Sequence, residues 1–349
     1  MTRKWSRRKE SERVQDRPHP ANFCGGAFQD WLEVMLTPDC NGRCSWCIEK
    51  KGYKPKRRVP WQELASQIVR SGRKNIILLG GEPTLYPRLG LLGPELTNGH
   101  GLNVYLTTNG SLMCRDFVRS HLSWPISGVN ISIHAVRTTE NAQITGIKLD
   151  EGCLQRAIWA LHCRPRMASV RLNCNLIKGY VDSEVAIHRY IAFARKIGAG
   201  SVRFAELKLD NEHFISAAAI MDGKFGLNDD PFRLGCQKNC IIDDMPVNFR
   251  QMCGLQTTLR PRPDNPVQYS KLVLYYDGLF YPGWQQAKEI DVDKQALGWI
   301  LDDLKAGRID KALAAQRIEA LKADDATPKG EEDPRTHRAP TTDQGGCFY

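Results

Sequence analysis

Residues 31–47 read WLEVMLTPDCNGRCSWC. The first six, Trp31–Leu36, form a short and mostly apolar run, which predicts a buried strand. Cys40, Cys44 and Cys47 then follow on one short loop. Three thiolates on such a loop can bind three irons of a cubane iron–sulfur cluster and leave the fourth iron open. Zinc is the competing metal, but a structural zinc site needs four ligands, and no His or fourth Cys lies nearby in the sequence.

Similar apolar runs recur downstream and alternate with amphipathic segments. Strands are predicted at Trp31–Leu36, Asn75–Leu79, Leu102–Thr107, Val129–His134, Ser169–Ile177 and Ser201–Leu207. Helices are predicted at Trp61–Ser71, Glu151–Cys163 and Ser183–Ile197. Such repetition implies parallel strands joined by right-handed crossovers, so the fold class is α/β and six units fit a (β/α)6 partial TIM barrel. An open doubly wound sheet is the alternative that the pattern alone leaves open.

The strand–helix rhythm stops after about residue 210, where a C-terminal extension begins. Residues 211–268 read as irregular, while Lys271–Tyr276 and Leu279–Tyr281 predict a β-hairpin with a type I′ turn at Asp277-Gly278. The chain is therefore predicted to comprise a basic N-terminal arm (1–30), the partial barrel (31–210), a cysteine-rich region (211–290), C-terminal helices (291–323) and a disordered tail (324–349).

Composition limits the class of partner. Lys and Arg outnumber Asp and Glu by 49 to 39, which gives a net charge of +10. Basic residues concentrate at Arg3–Lys9 and at Lys50–Arg58, and the second stretch directly follows the cysteine loop. These stretches are either a solvated surface or an attraction for a phosphate-bearing substrate or nucleic acid.

The N-terminus lacks an apolar signal region and no run of 18 apolar residues is present, which predicts a cytoplasmic protein without a membrane partner. Thiols should stay reduced there, so clustered cysteines are expected to bind metal. Four scattered cysteines are expected to pack in the core: Cys114, Cys153, Cys163 and Cys174.

Polar residues stand near the ends of the predicted strands. They are Gly80-Gly81-Glu82-Pro83, Thr107-Thr108-Asn109-Gly110, Ser132 with His134, Asn173 with Asn175, and Arg203 with Glu206. In parallel α/β barrels the carboxyl ends of the strands carry the active site. For His134 a structural histidine is as good an interpretation as a site residue, and Arg203 with Glu206 could form a structural ion pair.

The loop Cys40–Cys47 resembles the signature of the radical SAM superfamily, including Trp46, the aromatic residue before the third cysteine. The resemblance extends from residue 31 to about residue 207. It implies that a [4Fe–4S] cluster binds S-adenosylmethionine (SAM) through its open iron. One-electron reduction then splits SAM into methionine and a 5′-deoxyadenosyl radical, with electrons from a donor such as flavodoxin or ferredoxin.

The resemblance also implies roles for residues at the strand ends. Gly80–Pro83 resembles the GGEP motif, which holds the SAM amino group, and Asn109 lies in an element similar to TNG, which shapes the pocket. Ser132 would contact the SAM ribose or carboxylate. The residues implied to bind SAM are Gly80, Gly81, Glu82, Pro83, Asn109, Ser132, Asn173 and Trp46.

A second cysteine group, Cys236-x3-Cys240-x12-Cys253, resembles the three-cysteine C-terminal site of the GTP-cyclising enzymes of molybdenum cofactor biosynthesis. The resemblance implies an auxiliary iron–sulfur cluster, with Cys24 or Cys347 as a further ligand. A zinc site, or cysteines that merely pack, are the alternatives. The first spacing has three intervening residues where those enzymes have two, so GTP cyclisation itself is not expected.

We therefore expect an enzyme that uses SAM to abstract hydrogen from an anionic substrate, such as a nucleotide or a base of a nucleic acid. One alternative is radical modification of a ribosomal peptide or a small-molecule intermediate. The other is an iron–sulfur binding protein without catalysis. The sequence does not single out a catalytic residue beyond the cofactor-binding ones.

Overall fold

A computed structural model describes residues 31–47, 55–164, 166–207, 211–222, 224–225, 237–251, 272–281 and 310–319, without 313 and 317. The predicted N-terminal arm and tail lie outside these residues, as do Cys24, Cys236, Cys253 and Cys347. The chain divides into two compact units, Met1–Ala296 and Leu297–Tyr349. In the second unit, the described residues between 311 and 319 are helical.

The first unit is built on one ten-stranded sheet. In chain order its strands are β1 (Trp31–Met35), β2 (Asn75–Leu79), β3 (Asn103–Thr108), β4 (Gly128–Ser132), β5 (Ser169–Asn175), β6 (Ser201–Ala205), β7 (Gln237–Ile242), β8 (Met245–Arg250), β9 (Val273–Leu274) and β10 (Phe280–Tyr281). They are ordered β10-β9-β1-β2-β3-β4-β5-β6-β8-β7. Neighbours from β1 to β6 are parallel throughout, and β8 continues parallel to β6.

Helices connect the parallel strands. They are α1 (Trp61–Arg70), α2 (Leu89–Pro94), α3 (Arg115–His121), α4 (Thr138–Thr145), α5 (Glu151–His162), α6 (Glu184–Ile197) and α7 (Ala217–Met221). The six strands follow one another without a reversal of order, and right-handed crossovers then place every connecting helix on the same side. This topology confirms the α/β partial barrel, since a doubly wound sheet would reverse direction.

Local sequence signals set the helix ends. The Asp150 carboxylate accepts from the backbone N–H of Cys153 at 2.7 Å and begins α5, and the Ser183 hydroxyl caps α6 in the same way. Gly198 ends α6 in the left-handed conformation with φ of 90°. These caps explain why the predicted boundaries of both helices lie within one residue of the observed ones.

Hairpins extend the sheet at both edges, and here the sequence interpretation needs two corrections. Within the segment 211–268, expected to be irregular, β7 and β8 form a regular antiparallel hairpin. Asp243 and Asp244, with φ of 49° and 58°, provide its two-residue type I′ turn. The predicted hairpin at β9 and β10 is present, but only Gly278 in its turn has positive φ, so the turn is type I with a glycine bulge and not type I′.

The two faces of the sheet differ in character. The face under the helices holds the apolar core, including Leu32, Leu78 and Leu106 at 0% exposure. The opposite face, termed the inner face, carries the alternate residues of each strand and is largely polar from β3 to β8. Within the described part of the chain, no helix has the length and apolarity needed to cross a membrane.

The four scattered cysteines do not share one environment. Cys174 is buried, as expected, but Cys163 is exposed, and Cys114 and Cys153 are only partly buried. Cys114 and Cys153 lie at the beginnings of α3 and α5, where helix ends remain close to solvent. The expectation of core packing is therefore wrong for three of the four.

Candidate active site at the carboxyl ends of the strands

The loops after β1 and β2 touch through their backbones. The N–H of Gly81 donates to the Thr37 carbonyl and that of Glu82 to the Asp39 carbonyl, both at 2.7 Å. A Cβ at Gly80 would lie 2.6 Å from the Thr37 oxygen, and one at Gly81 would lie 2.3 Å from the Asp39 oxygen. Only glycine permits this approach, so the Gly80-Gly81 pair holds the cysteine loop against the end of β2.

The Glu82 side chain connects the end of β2 to the end of β3 through buried hydrogen bonds. Its side chain is 1% exposed and accepts from the Thr108 hydroxyl at 2.6 Å and the Asn109 N–H at 2.7 Å. It also accepts from the backbone N–H and hydroxyl of Thr84. Four donors occupy the acceptor capacity of one carboxylate. Glu82 therefore orients the loops around the site through its side chain, while its backbone N–H and carbonyl bond to Asp39 and Leu85.

A chain of amide and hydroxyl groups joins the cysteine loop to the loop after β3. The Asn109 side-chain amide donates to the Asn41 oxygen at 2.8 Å, and the Asn41 amide donates to the Ser111 hydroxyl at 2.9 Å. Asn109 in turn accepts from the Ser111 N–H at 2.9 Å. The sequence analysis did not single out Asn41 or Ser111. Their only signal was position, directly beside Cys40 and Gly110.

The other side of the cysteine loop rests on the end of α4. The Arg43 N–H donates to the Thr145 carbonyl at 2.6 Å, and Gly146 leaves room for the Arg43 side chain, since a Cβ there would approach it to 2.9 Å. Within the loop, the Gly42 N–H donates to the Cys40 sulfur at 3.2 Å. Cys40 is exposed, and Cys44 and Cys47 are partly exposed. The thiols thus stand at the open mouth of the barrel on a loop held from two sides.

His134 lies just behind this loop. Its Nδ1 accepts from the Asn175 N–H at 3.0 Å, and its ring meets that of Trp46 edge-on with centroids 5.4 Å apart. Burial lowers the pKa of His134 to about 4, so the ring is neutral at pH 7 and its other nitrogen carries the proton. His134 therefore has a structural role that the sequence left undecided: it connects the end of β4, the end of β5 and Trp46.

The inner face below the mouth is polar and basic. Ser132, Asn173, Arg203 and Asn248 are successive partners across β4, β5, β6 and β8. The Arg203 Nε donates to Asn248 at 3.0 Å, and the Arg171 Nε donates to Asn173 at 3.1 Å. Glu206 lies apart from this row, because its carboxylate accepts from the Ala217 N–H at 2.8 Å at the start of α7.

Arg171 was missed by the sequence analysis. It is 5% exposed, and burial together with the charge of Arg250 lowers its pKa to about 10. The guanidinium still carries its charge at neutral pH. The available signal was the alternation Arg171, Asn173, Asn175, which places three polar side chains on one face of an otherwise apolar strand.

The described end of the basic stretch is tied to the barrel and does not line the inner face. Arg58 donates to both carboxylate oxygens of Asp39, at 3.1 and 3.3 Å, and its guanidinium lies over the ring of Tyr276, 5.8 Å from the centroid. The hydrogen bonds from Arg58, then from Thr37, hold the pKa of Asp39 below its usual value. Lys50, Lys51 and Lys54 lie outside the described residues.

Cys240, the described member of the second cysteine group, sits within β7 opposite Val247. Alternation along β7 turns it away from Asn239, whose oxygen accepts from the inner-face residue Asn248 at 2.8 Å. Cys240 is thus on the opposite face of the hairpin. Burial raises the pKa of its thiol to about 11.

Comparison with known proteins finds a family match that includes the site. The family model described as the radical SAM superfamily matches residues 34–157, which include the three loop cysteines and Gly80–Glu82. The chain is similar to that family over residues 34–157, and this matched segment is termed the radical SAM domain. The domain runs from β1 into α5, so the match includes the mouth of the barrel and ends before β5 to β8.

Curated relatives of the radical SAM domain are named GTP 3′,8-cyclase. The protein from Peptoclostridium acidaminophilum is 30% identical over 190 residues, which cover 51% of this chain and 55% of that protein. The Haemophilus influenzae (strain PittGG) protein is 28% identical over 190 residues, covering 52% and 54%. The Aquifex aeolicus protein is 24% identical over 255 residues, covering 71% of each. The chain spans about half the length of the first two.

Solved structures support the fold. SuiB from Streptococcus suis superposes with a TM-score of 0.50 at 13% identity, covering 73% of this chain and 60% of that one. Its complex with S-adenosylmethionine gives the same TM-score at 14% identity and the same coverage. At this identity the likeness concerns the fold of the radical SAM domain and its extension alone.

The donor set of the radical SAM domain fits a cluster with an open iron. Three thiols lie within eight residues on a loop fixed at both ends, and the cradle at Gly80-Gly81 would be filled by any Cβ. Among the described residues, no three His, Cys, Asp or Glu side chains converge on a position for one metal ion. A cubane does not need such convergence, because each thiolate binds a different iron.

Proposed function

We propose that this protein is an enzyme that binds a [4Fe–4S] cluster through Cys40, Cys44 and Cys47 and cleaves SAM reductively. The observation that carries the proposal is the clasped loop at the barrel mouth. There hydrogen bonds of 2.7 to 2.9 Å connect the loop that carries the three cysteines to the Gly80–Glu82 turn and to Asn109. When bound, the cluster and SAM supply a one-electron cleavage that yields a 5′-deoxyadenosyl radical and methionine.

The residues around the mouth would bind and orient SAM. Backbone carbonyls of Gly80, Gly81 and Glu82 would accept hydrogen bonds from the SAM ammonium group, as the resemblance to the GGEP motif implies. Ser132, partly exposed on β4, offers a hydroxyl to the ribose or carboxylate. The rings of Trp46 and His134 contact each other behind the cysteine loop and would shield that side of it from water.

We further propose that the substrate is anionic and belongs to the nucleotides or nucleic-acid bases. Arg171 and Arg203 support this, because they place two guanidiniums on the inner face below the mouth. Such groups recognise phosphate and carboxylate oxygens. The 5′-deoxyadenosyl radical would abstract hydrogen from a substrate held there. Radical modification of a peptide or a small molecule is the rival reaction of the same site.

Formation of 5′-deoxyadenosine tests the SAM reaction. Anaerobically reconstituted protein is incubated with SAM and dithionite, and 5′-deoxyadenosine is quantified for wild type and for Cys40→Ala. The matched control is Cys163→Ala, which removes an exposed cysteine outside the loop. We expect product from wild type and control only. Equal amounts from Cys40→Ala would contradict the proposal, and no product from wild type would favour an iron–sulfur protein without catalysis.

An auxiliary cluster at Cys236, Cys240 and Cys253 is a separate proposal. It rests on the spacing and its resemblance to the GTP-cyclising enzymes. Of these three, Cys240 lies on the face of β7 opposite to the inner face, paired with Val247. Iron and sulfide are counted in a Cys40/Cys44/Cys47→Ala triple variant, with and without Cys240→Ala. Iron that remains in the triple variant supports the auxiliary cluster, and complete loss of iron removes it.

A further inference from the structure

The β7–β8 hairpin adds a second wall to the inner face. It lies next to β6, beyond residues 34–157, which the radical SAM family model matches. On β8, Asn248 pairs with Arg203 of β6, and Arg250 pairs with Ala205. Asn248 and Arg250 are two residues apart and so point to the same side. The contact of Asn248 with Arg203 establishes that this side is the inner face.

Asn248 fixes the direction of the Arg203 guanidinium. Its oxygen accepts from the Arg203 Nε at 3.0 Å, while its own amide group donates to the Asn239 oxygen at 2.8 Å. Both functional groups of Asn248 are thereby used. The Arg203 Nε is held by the hairpin, which leaves the terminal nitrogens of the guanidinium to meet a ligand.

Two buried polar atoms on the inner face have no hydrogen-bond partner among the described residues. The Nη1 of Arg171, on a side chain only 5% exposed, donates to none. The Oε1 of Gln237, on β7 directly opposite Arg250, accepts from none. A buried guanidinium donor without an acceptor costs free energy unless a ligand supplies one. A ligand that satisfies both atoms must carry at least one hydrogen-bond acceptor and at least one hydrogen-bond donor.

The charges of the wall are unbalanced. Burial, and then the charges of Arg171 and Arg250, lower the pKa of Arg203, while Glu33 of β1 acts in the opposite sense. Among the described residues, three guanidiniums thus act against one carboxylate on the inner face. A ligand group with two or more negative charges, such as a phosphate ester or a phosphoanhydride, would compensate this excess, whereas a single carboxylate would not.

We propose that the β7–β8 hairpin is the substrate-selecting wall of the barrel, on which Arg250 and Asn248 complete with Arg171 and Arg203 a site for a polyanionic group. The inference rests on the proposed anionic substrate and deepens it. Arg250 contacts the anion, and Asn248 is a positioning residue that acts through Arg203. Gln237 accepts a hydrogen bond from an N–H or O–H group of the same ligand.

Equilibrium binding to the full-length reconstituted protein tests this wall. The probes are inorganic phosphate, inorganic tripolyphosphate, GTP and guanosine, measured by calorimetry under anaerobic conditions. We expect Arg250→Gln to weaken tripolyphosphate and GTP by about tenfold or more, since each lost charge-assisted contact in a buried site is strong. Guanosine should bind to Arg250→Gln with the same affinity as to wild type. Arg250→Lys, which keeps the charge, should retain more affinity than Arg250→Gln.

Asn248→Ala separates positioning from charge. It leaves every charge in place but releases the Arg203 Nε, so we expect weaker GTP binding with an unchanged number of bound anions. The matched control is Arg119→Gln, which removes an exposed arginine on α3, outside the site. Thermal unfolding of each variant checks that it is folded.

The outcomes separate this inference from the proposed SAM reaction. Equal GTP and tripolyphosphate affinities for wild type, Arg250→Gln and Arg119→Gln would overturn the selecting wall, and so would a wild type that binds neither probe. SAM cleavage in the absence of substrate is measured on the same samples. Its loss in wild type would refute the SAM proposal while leaving the binding results intact.

Discussion

Glu82 shows how a single buried side chain can organise the loops around a candidate site. Four donors from β3 and from the turn at Thr84 converge on one buried carboxylate. The geometry of the mouth thus depends on the carboxylate charge and on both of its oxygens. His134 acts similarly, because its neutral ring receives the Asn175 N–H and supports Trp46.

Glu82→Gln should destabilise the protein. The substitution replaces one acceptor oxygen by an NH2 group, which would face a donor already aimed at that position. We expect a loss of about 1–3 kcal/mol in the free energy of unfolding, the cost of a buried donor left without an acceptor. Urea unfolding measures it. Glu212→Gln, at a side chain that is 82% exposed, is the control, and an equal midpoint for both variants would contradict the prediction.

Because of His134, the free energy of unfolding should decrease as the pH falls. Its pKa is about 4 in the folded protein and near 6.5 when unfolded, so the unfolded chain takes up the proton first as pH falls. The contribution is complete above about pH 6.5 and declines toward pH 4. Between about pH 7 and pH 5 the loss should be about 2 kcal/mol. Wild type should lose this amount in excess of His134→Gln, whereas His213→Gln should behave as wild type.

At the scale of elements, the sequence predicted the six parallel strands to within two residues at nearly every boundary. Their apolar runs are buried under helices, and burial of that face produces the apolar pattern from which the strands were predicted. The β7–β8 hairpin was missed because only one of its faces packs. Its strands contain Pro246, Asn239 and Asn248, and its Asp-Asp turn lacks the glycine that usually marks a type I′ hairpin.

The same reasoning explains what was found at the site. The cysteine loop and Gly80–Pro83 are local sequence motifs, so their positions at strand ends followed from the strand prediction. Arg171 and Arg250 lie on the inner face, where polar residues alternate with apolar ones inside strands that were read only for their apolar character. Arg171 could have been found from the alternation Arg171, Asn173, Asn175, whereas recognising Arg250 required the pairing of β6 with β8, which crosses a long segment of sequence and has no local signal.

The turn of the β7–β8 hairpin offers a test at this scale. Asp244 has φ of 58°, a conformation that costs most residues free energy and glycine very little. Asp244→Gly should therefore stabilise the protein by about 0.5–1 kcal/mol, and Asp244→Val should destabilise it. Asp243 is left unchanged because its carboxylate lies 2.7 Å from the His188 ring. Thermal unfolding should give the highest midpoint for Asp244→Gly, an intermediate one for wild type and the lowest for Asp244→Val. The reverse order would refute the assigned turn.

At the scale of the whole molecule, the net charge of +10 acts at two ranges. The charge as a whole attracts any polyanion through solvent, where salt screens it. The inner-face arginines act within a partly buried wall, where screening is weaker. Salt should therefore weaken the binding of a polymer at the surface more than the binding of a small substrate on the inner face.

Salt dependence should therefore separate the two substrate classes. We expect GTP affinity to change by less than about tenfold between about 50 and 200 mM salt, since its contacts are enclosed. A single-stranded oligonucleotide held by surface charge should lose about a hundredfold or more over the same range. Equilibrium dialysis with both ligands measures this. A GTP affinity that falls as steeply as that of the oligonucleotide would contradict an enclosed site.

The pairing of β1 with β9 has a consequence for synthesis of the chain. Glu33 lies opposite Val273, so the neighbour that covers the outer edge of β1 is made about 240 residues after it. At typical translation speeds this delay is roughly ten to fifty seconds. During that interval the first strand presents its backbone to other nascent chains, and the cysteines that follow it are already outside the ribosome. The outer edge of β1 is thus covered only after residues 272–281 have been made.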